Sequence, residues 1–223
     1  GIATVISQLV SGVGCTIYMY KKFDILKANR QENVVRKRYV VNLCYIGVPM
    51  GLQYSITAIG STILQAAVNG LGSSYVAAMT AGSKMFNFTC CPFGALGSTM
   101  ATYGGQNVGA GKIDRLGKGI RAAMIIGAVY SVVALVVLFF TTDYIALLFV
   151  DAAEVEIIRL TRRFILASAL FYIPLTGVNV YRFCIQGMGY SVFAILAGVF
   201  EMLARTLVAI FLIPVIGFNG ACL

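Results

Sequence analysis

The sequence contains no histidine and no tryptophan, and only 8 of its 223 residues are acidic. Without histidine there is no imidazole general base and no imidazole metal ligand. Charged residues make up 11% of the chain and hydrophobic ones 59%, whereas a soluble domain carries about 25% charge. That shortage of charge excludes an ordinary soluble domain and predicts a polytopic membrane protein. No CxxC pair is present. The six cysteines (Cys15, Cys44, Cys90, Cys91, Cys184 and Cys222) lie in or beside apolar stretches and read as small packing residues, neither a disulfide framework nor a metal site. A nucleotide-binding loop is also missing. The glycines of 104–111 lead to Lys112-Ile113, where a phosphate-cradling loop needs Lys followed by Ser or Thr. No catalytic constellation remains, so an enzyme is not expected, and energy for any transport must come from an ion gradient or an absent partner.

What the chain does have is long uncharged runs separated by charged loops. The net charge of +9 suggests nucleic acid at first sight. The basic residues flank apolar runs, however, so membrane topology accounts for them and no nucleic-acid partner is expected. Segment one covers 1–20 and ends at Lys21-Lys22. A basic linker follows at 21–42, with Lys27, Arg30, Arg36, Lys37 and Arg38 set against Asp24 and Glu32. Further crossings are predicted at 43–68, 75–103, 120–141, 163–186 and 192–213, with a new apolar run starting at 221. From Met85 to Gly111 no residue is charged, a run long enough for the ~20 apolar residues that span a bilayer core.

Loop charge orients these segments. Lys/Arg excess marks the cytoplasmic side, which assigns 21–42 and 104–121 to the cytoplasm. The loop at 69–74 is uncharged, and the loop at 142–156 carries Asp143, Asp151, Glu154 and Glu156. Arg159, Arg162 and Arg163, at the outer start of the fifth segment, run against this pattern, and a short interfacial helix there places them among headgroups. The chain opens inside one apolar stretch and stops at the start of another, which reads as the middle-to-late part of a longer protein.

Pro49, Pro92, Pro174 and Pro214 fall inside or at the ends of crossings. Each removes a backbone hydrogen bond and kinks a helix, as in transporters with broken helices; Pro is also simply commoner in membrane helices. At helical spacing, Tyr54, Ala58, Ser61, Gln65 and Asn69 share one face. Lys84, Asn87, Cys91, Ala95, Ser98 and Thr102 form a second stripe, and Tyr172, Thr176, Asn179, Arg182 and Gln186 a third. Such stripes either line a watery cavity or act as hydrogen-bonding glue between helices. Ionisable residues within crossings are Lys84, Arg182, Glu201 and Arg205. Glu201 and Arg205, spaced i, i+4, suit an ion pair; the alternative is a proton-titrating, ion-coupling Glu201. Arg182 is close enough to Gly187 to snorkel. Lys84 has no acid in its own segment.

The stretch SKMFNFTCCPFGALGSTMATYGGQNVGAGKIDR, with GVPMGLQYSITAIGSTILQAAVNGLG and VYRFCIQGMG, resembles the multidrug and toxic compound extrusion (MATE) transporters, most closely the bacterial branch. The resemblance covers essentially the whole chain. It implies an all-α, polytopic transmembrane helix bundle corresponding to the second six-helix lobe of a twelve-helix protein. On that plan, 1–20 ends the last helix of the first lobe, 21–42 is the cytoplasmic inter-lobe linker, and 43–223 is the second lobe with its last helix cut short. The implied activity is antiport of cationic, amphipathic drugs against Na+ or H+ by alternating access, in a multi-pass cell-membrane protein. Partners are then small organic cations, the lipid bilayer and the missing first lobe; the coupling ion stands in place of a cofactor. Two features depart from the family. Lys84 is followed by Met85, Phe86 and Asn87 without an acid, and the segments at 43–68 and 163–186 have no carboxylate. Coupling is therefore expected to rest on a first-lobe carboxylate. Gln53, Tyr54, Lys84, Asn87, Asn179 and Arg182 are the candidates for cavity lining. The alternatives are a flippase for a lipid-linked oligosaccharide or precursor, from the related superfamily, and an inactive membrane fragment.

Overall fold

The computed structural model describes residues 2–23, 36–151 and 153–222. Most of the predicted linker, including Asp24, Lys27, Arg30 and Glu32, lies outside the described residues. Those that are described form two compact units, Gly1–Leu43 and Cys44–Leu223. The first contains α1 (Ile2–Lys22), which buries no residue and ends on Lys21 and Lys22. Helix α2 (Lys37–Asn69) begins in the first unit and continues into the second. The second unit is completed by α3 (Ser73–Gly109), α4 (Asp114–Ala146), α5 (Val155–Leu170), α6 (Tyr172–Gly187) and α7 (Val192–Leu207). A π-helical turn (Val208–Leu212) then leads into short α8 (Ile213–Ile216) and α9 (Phe218–Cys222). The fold is all-α, with no strand among the described residues.

Three helical stretches are long and apolar enough to cross a membrane alone: Ile2–Lys22, Asp114–Ala146 and Ile195–Ile216. The pair α5 and α6, bent by 55°, makes a fourth as one broken span. Helices α2 and α3 have 33 and 37 residues, ample length at about 1.5 Å per residue. Polar stripes and glycines lower their hydropathy.

Helices lie over the stretches predicted to cross, with different ends. The run expected to stop at 103 stays helical to Gly109, so the glycine-rich 104–111 stretch is largely the last turns of α3 and not a loop. Its exit has a physical cause. Gly111 takes φ +69°, a left-handed conformation open to glycine, and Lys112 N–H then reaches back to Asn107 O at 2.8 Å. This 6→1 closure satisfies a terminal carbonyl. Gly189, at φ +95°, closes α6 in the same way, with Tyr190 N–H donating to Ile185 O at 3.2 Å. The crossing expected at 163–186 instead begins at Val155 and breaks at Phe171. Pro174 cannot donate to Leu170 O, which frees that carbonyl and allows the bend. The π turn immediately before Pro214 has the same origin.

Close helix approach holds the second unit together. A Cβ added at Gly187 of α6 would meet the Ala101 backbone of α3, and one at Gly105 would lie 2.8 Å from Gly187 O. Small residues on both helices thus let the backbones touch, the usual route to association where lipid competes for apolar contacts. Gly127 of α4 gives way to Thr176, and Gly82 of α3 to the Phe164 ring. Half-buried hydroxyls bridge the same helices: Thr89 Oγ1 lies 2.7 Å from Tyr172 Oη, and Tyr130 Oη donates to Thr89 O at 2.8 Å. Phe93 packs edge-on against both Tyr130 and Tyr172, at centroid distances of 5.1 and 5.3 Å.

Candidate functional site

A cavity of about 560 Å³ opens among α2, α3, α5, α6, α7 and α9. Its polar wall comprises Ser61 and Gln65 from α2, Ser83 and Asn87 from α3, Ser168 from α5 and Arg205 from α7. Phe86, Phe164 and Phe171 supply aromatic surface. Among the described residues no carboxylate lies on this wall. The volume is within the usual range for small-molecule sites, about 300–1,000 Å³.

Behind Arg205 a charged cluster joins three helices. Glu201 Oε1 accepts from Arg205 Nη2 at 2.6 Å, one helical turn away. Its other oxygen lies 4.0 Å from Arg182 Nη1 on α6 and 3.5 Å from Thr57 Oγ1 on α2. Arg205 Nη1 also donates to Ser61 Oγ. The Arg182 side chain retains 17% exposure and that of Glu201 33%. One carboxylate thus serves two guanidiniums, leaving an excess of one positive charge.

Arg182 is held on its other side by Gln53, a buried residue of α2. With its carbonyl turned to the guanidinium, Gln53 accepts from Arg182 Nε at 3.2 Å and Nη1 at 3.1 Å. Its NH2 group then faces the Gln186 amide at 2.7 Å, to which Gln186 presents its own oxygen, since two NH2 groups do not pair. The backbone allows the approach because Gly198 of α7 packs on Gln53, and Gly60 of α2 packs on Met202.

The sequence-derived candidates divide accordingly. Gln53, Arg182 and Glu201 come together in the cluster, and Asn87 is on the cavity wall. Tyr54 is exposed and off that wall. Asn179 donates to Leu175 O of its own helix at 3.0 Å. Lys84 is exposed, with Nζ 5.7 Å from the centre of the Phe149 ring; among the described residues it pairs with no acid. Arg182, a cavity-lining candidate also close enough to the membrane surface to snorkel, turns inward, where Glu201 and Gln53 offer acceptors. The third stripe also divides. Tyr172 and Thr176 face Thr89 and Ser131, as glue between helices, while Arg182 and Gln186 face α2 and α7. Ser61 and Gln65 belonged to a stripe visible in the sequence, but Ser83 and Ser168 carried no signal beyond being serines.

Residues 49–211 match the MatE family. This chain belongs to that family. The MatE match runs from Pro49 of α2 into the π turn, so it contains the whole Gln53–Arg182–Glu201–Arg205 cluster. A curated relative is the probable multidrug resistance protein YoeA of Bacillus subtilis (strain 168), 22% identical over 205 residues. The alignment covers 90% of this chain and 43% of YoeA. Among solved structures, a MATE protein in complex with MaL6 superposes with a TM-score of 0.89 at 15% identity, over 99% of this chain and 50% of that one. A MOP superfamily transporter from Pyrococcus furiosus, described as having a binding pocket of reverse polarity that suggests a different function, gives 0.69 at 17% identity. That alignment covers 81% of this chain and 40% of the other. The chain therefore has the MATE fold and spans about half the length of the relatives it matches. Family and fold make it a multi-pass membrane protein, with the resemblance legible in GGQNVGAGK borne out.

Proposed function

We propose that the chain is one lobe of a secondary active exporter that exchanges cationic, amphipathic drugs for Na+ or H+ by alternating access. The observation that carries this reading is the aromatic-lined cavity bordered by the Arg182–Glu201–Arg205 cluster, in a MatE-family chain similar to a probable multidrug resistance protein. An amphipathic drug finds aromatic and amide surface here, with Phe86, Phe164, Gln65 and Asn87 on one wall. Glu201 is already shared by two arginines, and among the described residues no carboxylate lines the cavity to receive a cation. The coupling carboxylate is then expected in the first lobe, and Glu201 keeps two arginines neutralised enough to remain between helices. On this reading residues 21–42 and 104–121 face the cytoplasm.

The test uses the full-length parent in a host lacking its own pumps, with ethidium efflux as the readout. Efflux that collapses when the Na+ or proton gradient is dissipated is expected. Absence of gradient-dependent efflux for every cationic dye tried overturns the proposal. One observation favours a second reading, a flippase for a lipid-linked precursor: Arg205 is on a wall without a carboxylate, which suits a pyrophosphate better than a cation. Proteoliposomes that translocate a pyrophosphate-linked lipid but no cationic dye would select it.

A further inference from the structure

A second concavity, unrelated to the cavity above, runs between α4 and α5. It is a groove of about 790 Å³ bounded by Leu135, Val136, Phe139 and Phe140 on one side and by Leu166, Ala167 and Leu170 on the other. It shares no lining residue with the first cavity; that one is reached from another face of α5, through Phe164 and Ser168. Three arginines, Arg159, Arg162 and Arg163, line the same groove. All three lie within 159–163, N-terminal to Leu166, Ala167 and Leu170 on α5, so charge is confined to one end and the remainder is hydrocarbon. Arg159 and Leu170 are separated by about 16 Å along the helix at 1.5 Å per residue.

The arginines are not equivalent. Arg162 is committed to the protein: it pairs with Asp143, donates to Phe139 O at 3.4 Å and lies 5.6 Å from the Phe139 ring centre. It forms part of the groove wall. Arg163 uses one nitrogen on Asn219 Oδ1 at 3.0 Å, which leaves most of its five donors free. Arg159 is exposed, and among the described residues no carboxylate pairs with Arg159 or Arg163. Two guanidiniums one turn apart therefore stand at the mouth of an apolar trough. Phe140, Leu170 and Val136 expose 69%, 66% and 52% of their surface along it.

We propose that this groove binds one acidic phospholipid, with the headgroup phosphate held by Arg159 and Arg163 and an acyl chain laid along Phe140, Leu166 and Leu170. The occupant must be anionic at one end and apolar along the rest, which a free phosphate or a zwitterionic lipid does not match. Guanidinium and phosphate form charge-assisted, often bidentate hydrogen bonds, and basic pockets between membrane helices attract anionic headgroups. The site also accounts for arginines that oppose the charge pattern of the other loops: a bound phosphate neutralises them where topology alone disfavours them.

The experiment is native mass spectrometry of the full-length protein released from mixed vesicles of phosphatidylglycerol and phosphatidylcholine with matched acyl chains. One phosphatidylglycerol retained with at least a tenfold preference over phosphatidylcholine is expected. Arg159→Gln with Arg163→Gln should remove that preference. Phosphatidylglycerol bearing a diazirine on its acyl chain, applied to the wild type, should label residues 135–140 or 166–170, a readout independent of how the variant folds. Equal retention of both lipids, an undiminished preference in the double variant, or displacement by inorganic phosphate alone would each overturn the assignment. Labelling that avoids both stretches would overturn it too, since it means another part of the protein covers the groove.

Discussion

Replacing Gly187 by alanine tests the α3–α6 seam most directly. The new Cβ would stand 2.6 Å from both the Cα and the carbonyl carbon of Ala101, and closer still to its carbonyl oxygen, where ordinary contact begins at 3.4 Å. These are backbone atoms of a helix interior, so no side-chain rotation relieves the clash. The helices must part locally by more than about 0.8 Å, and a gap of about 0.5–1 Å already forfeits roughly a quarter to a half of the dispersion energy across it. Overpacking costs typically about 1–3 kcal/mol, and the rigid neighbour puts this site at the upper end, near ~3 kcal/mol. With about 2–4 °C per kcal/mol for a domain of this size, the melting midpoint should fall by about 6–12 °C. Thermal melts of the full-length protein in detergent, followed by size-exclusion chromatography, provide the assay. Two comparisons frame it. Gly94→Ala meets nothing within 4 Å and should be neutral or slightly stabilising, whereas Gly97→Ala meets the Phe183 ring at 2.6 Å, a side chain able to move, and should fall between the two. If Gly187→Ala melts within about 2 °C of Gly94→Ala, the seam does not limit stability and the packing argument is wrong.

Three further outcomes are expected. Glu201→Gln leaves Arg182 and Arg205 facing each other without their shared carboxylate; removing one partner of a buried pair costs about 3–5 kcal/mol, less here because Glu201 is a third exposed, so lower yield and melting midpoint should both be seen. Adding Arg205→Gln to that variant should restore part of the loss, and no rescue at all would refute a shared pairing. Lys84→Ala, by contrast, should leave membrane protein levels unchanged, since Lys84 is exposed and its ammonium lies over the Phe149 ring; a changed apparent affinity in dye efflux would tie it to substrate, and unchanged transport would leave it a surface residue. Single cysteines placed between 104 and 121 in a cysteine-free parent should resist membrane-impermeant maleimide in intact cells, and rapid labelling from outside would reverse the proposed topology.

Helix positions, membrane class and family were legible because each rests on a local signal: the uncharged run from Met85 to Gly111, the i, i+4 spacing of Glu201 and Arg205, and the GGQNVGAGK block. The cluster was only partly legible. Gln53 and Gln186 are 133 residues apart, and nothing local announces that their amides meet. The fate of Arg182 depended on the same long-range docking, since snorkelling and inward pairing are indistinguishable until α7 brings Glu201 beside it. Tyr54 and Asn179 show the converse. Helical spacing aligned them with polar neighbours, but a stripe is a fifth or more of a helix circumference, and docking decides which edge of it is enclosed. The break at Phe171 follows from Pro174, yet proline at Pro49 and Pro92 left α2 and α3 continuous, so the residue alone does not specify a bend.

The break between α5 and α6 has a mechanical consequence. Gly187 fixes α6 against α3, whereas α5 is an arm joined to α6 at Phe171 and held to α3 by Phe164 on Gly82 and Thr161 on Ala78 O, and to α4 by Arg162 on Asp143. At 16 residues, that arm is about 24 Å long. A tilt of roughly 5° at the joint would carry its far end by about 2 Å. Phe164 and Ser168 ride on the inner part of this arm, on the cavity wall, and Arg159 and Arg163 ride towards its tip, in the groove. A tilt of α5 about Phe171 would therefore reshape both concavities at once, and a ligand on the tip of α5 would act on the wall near its base.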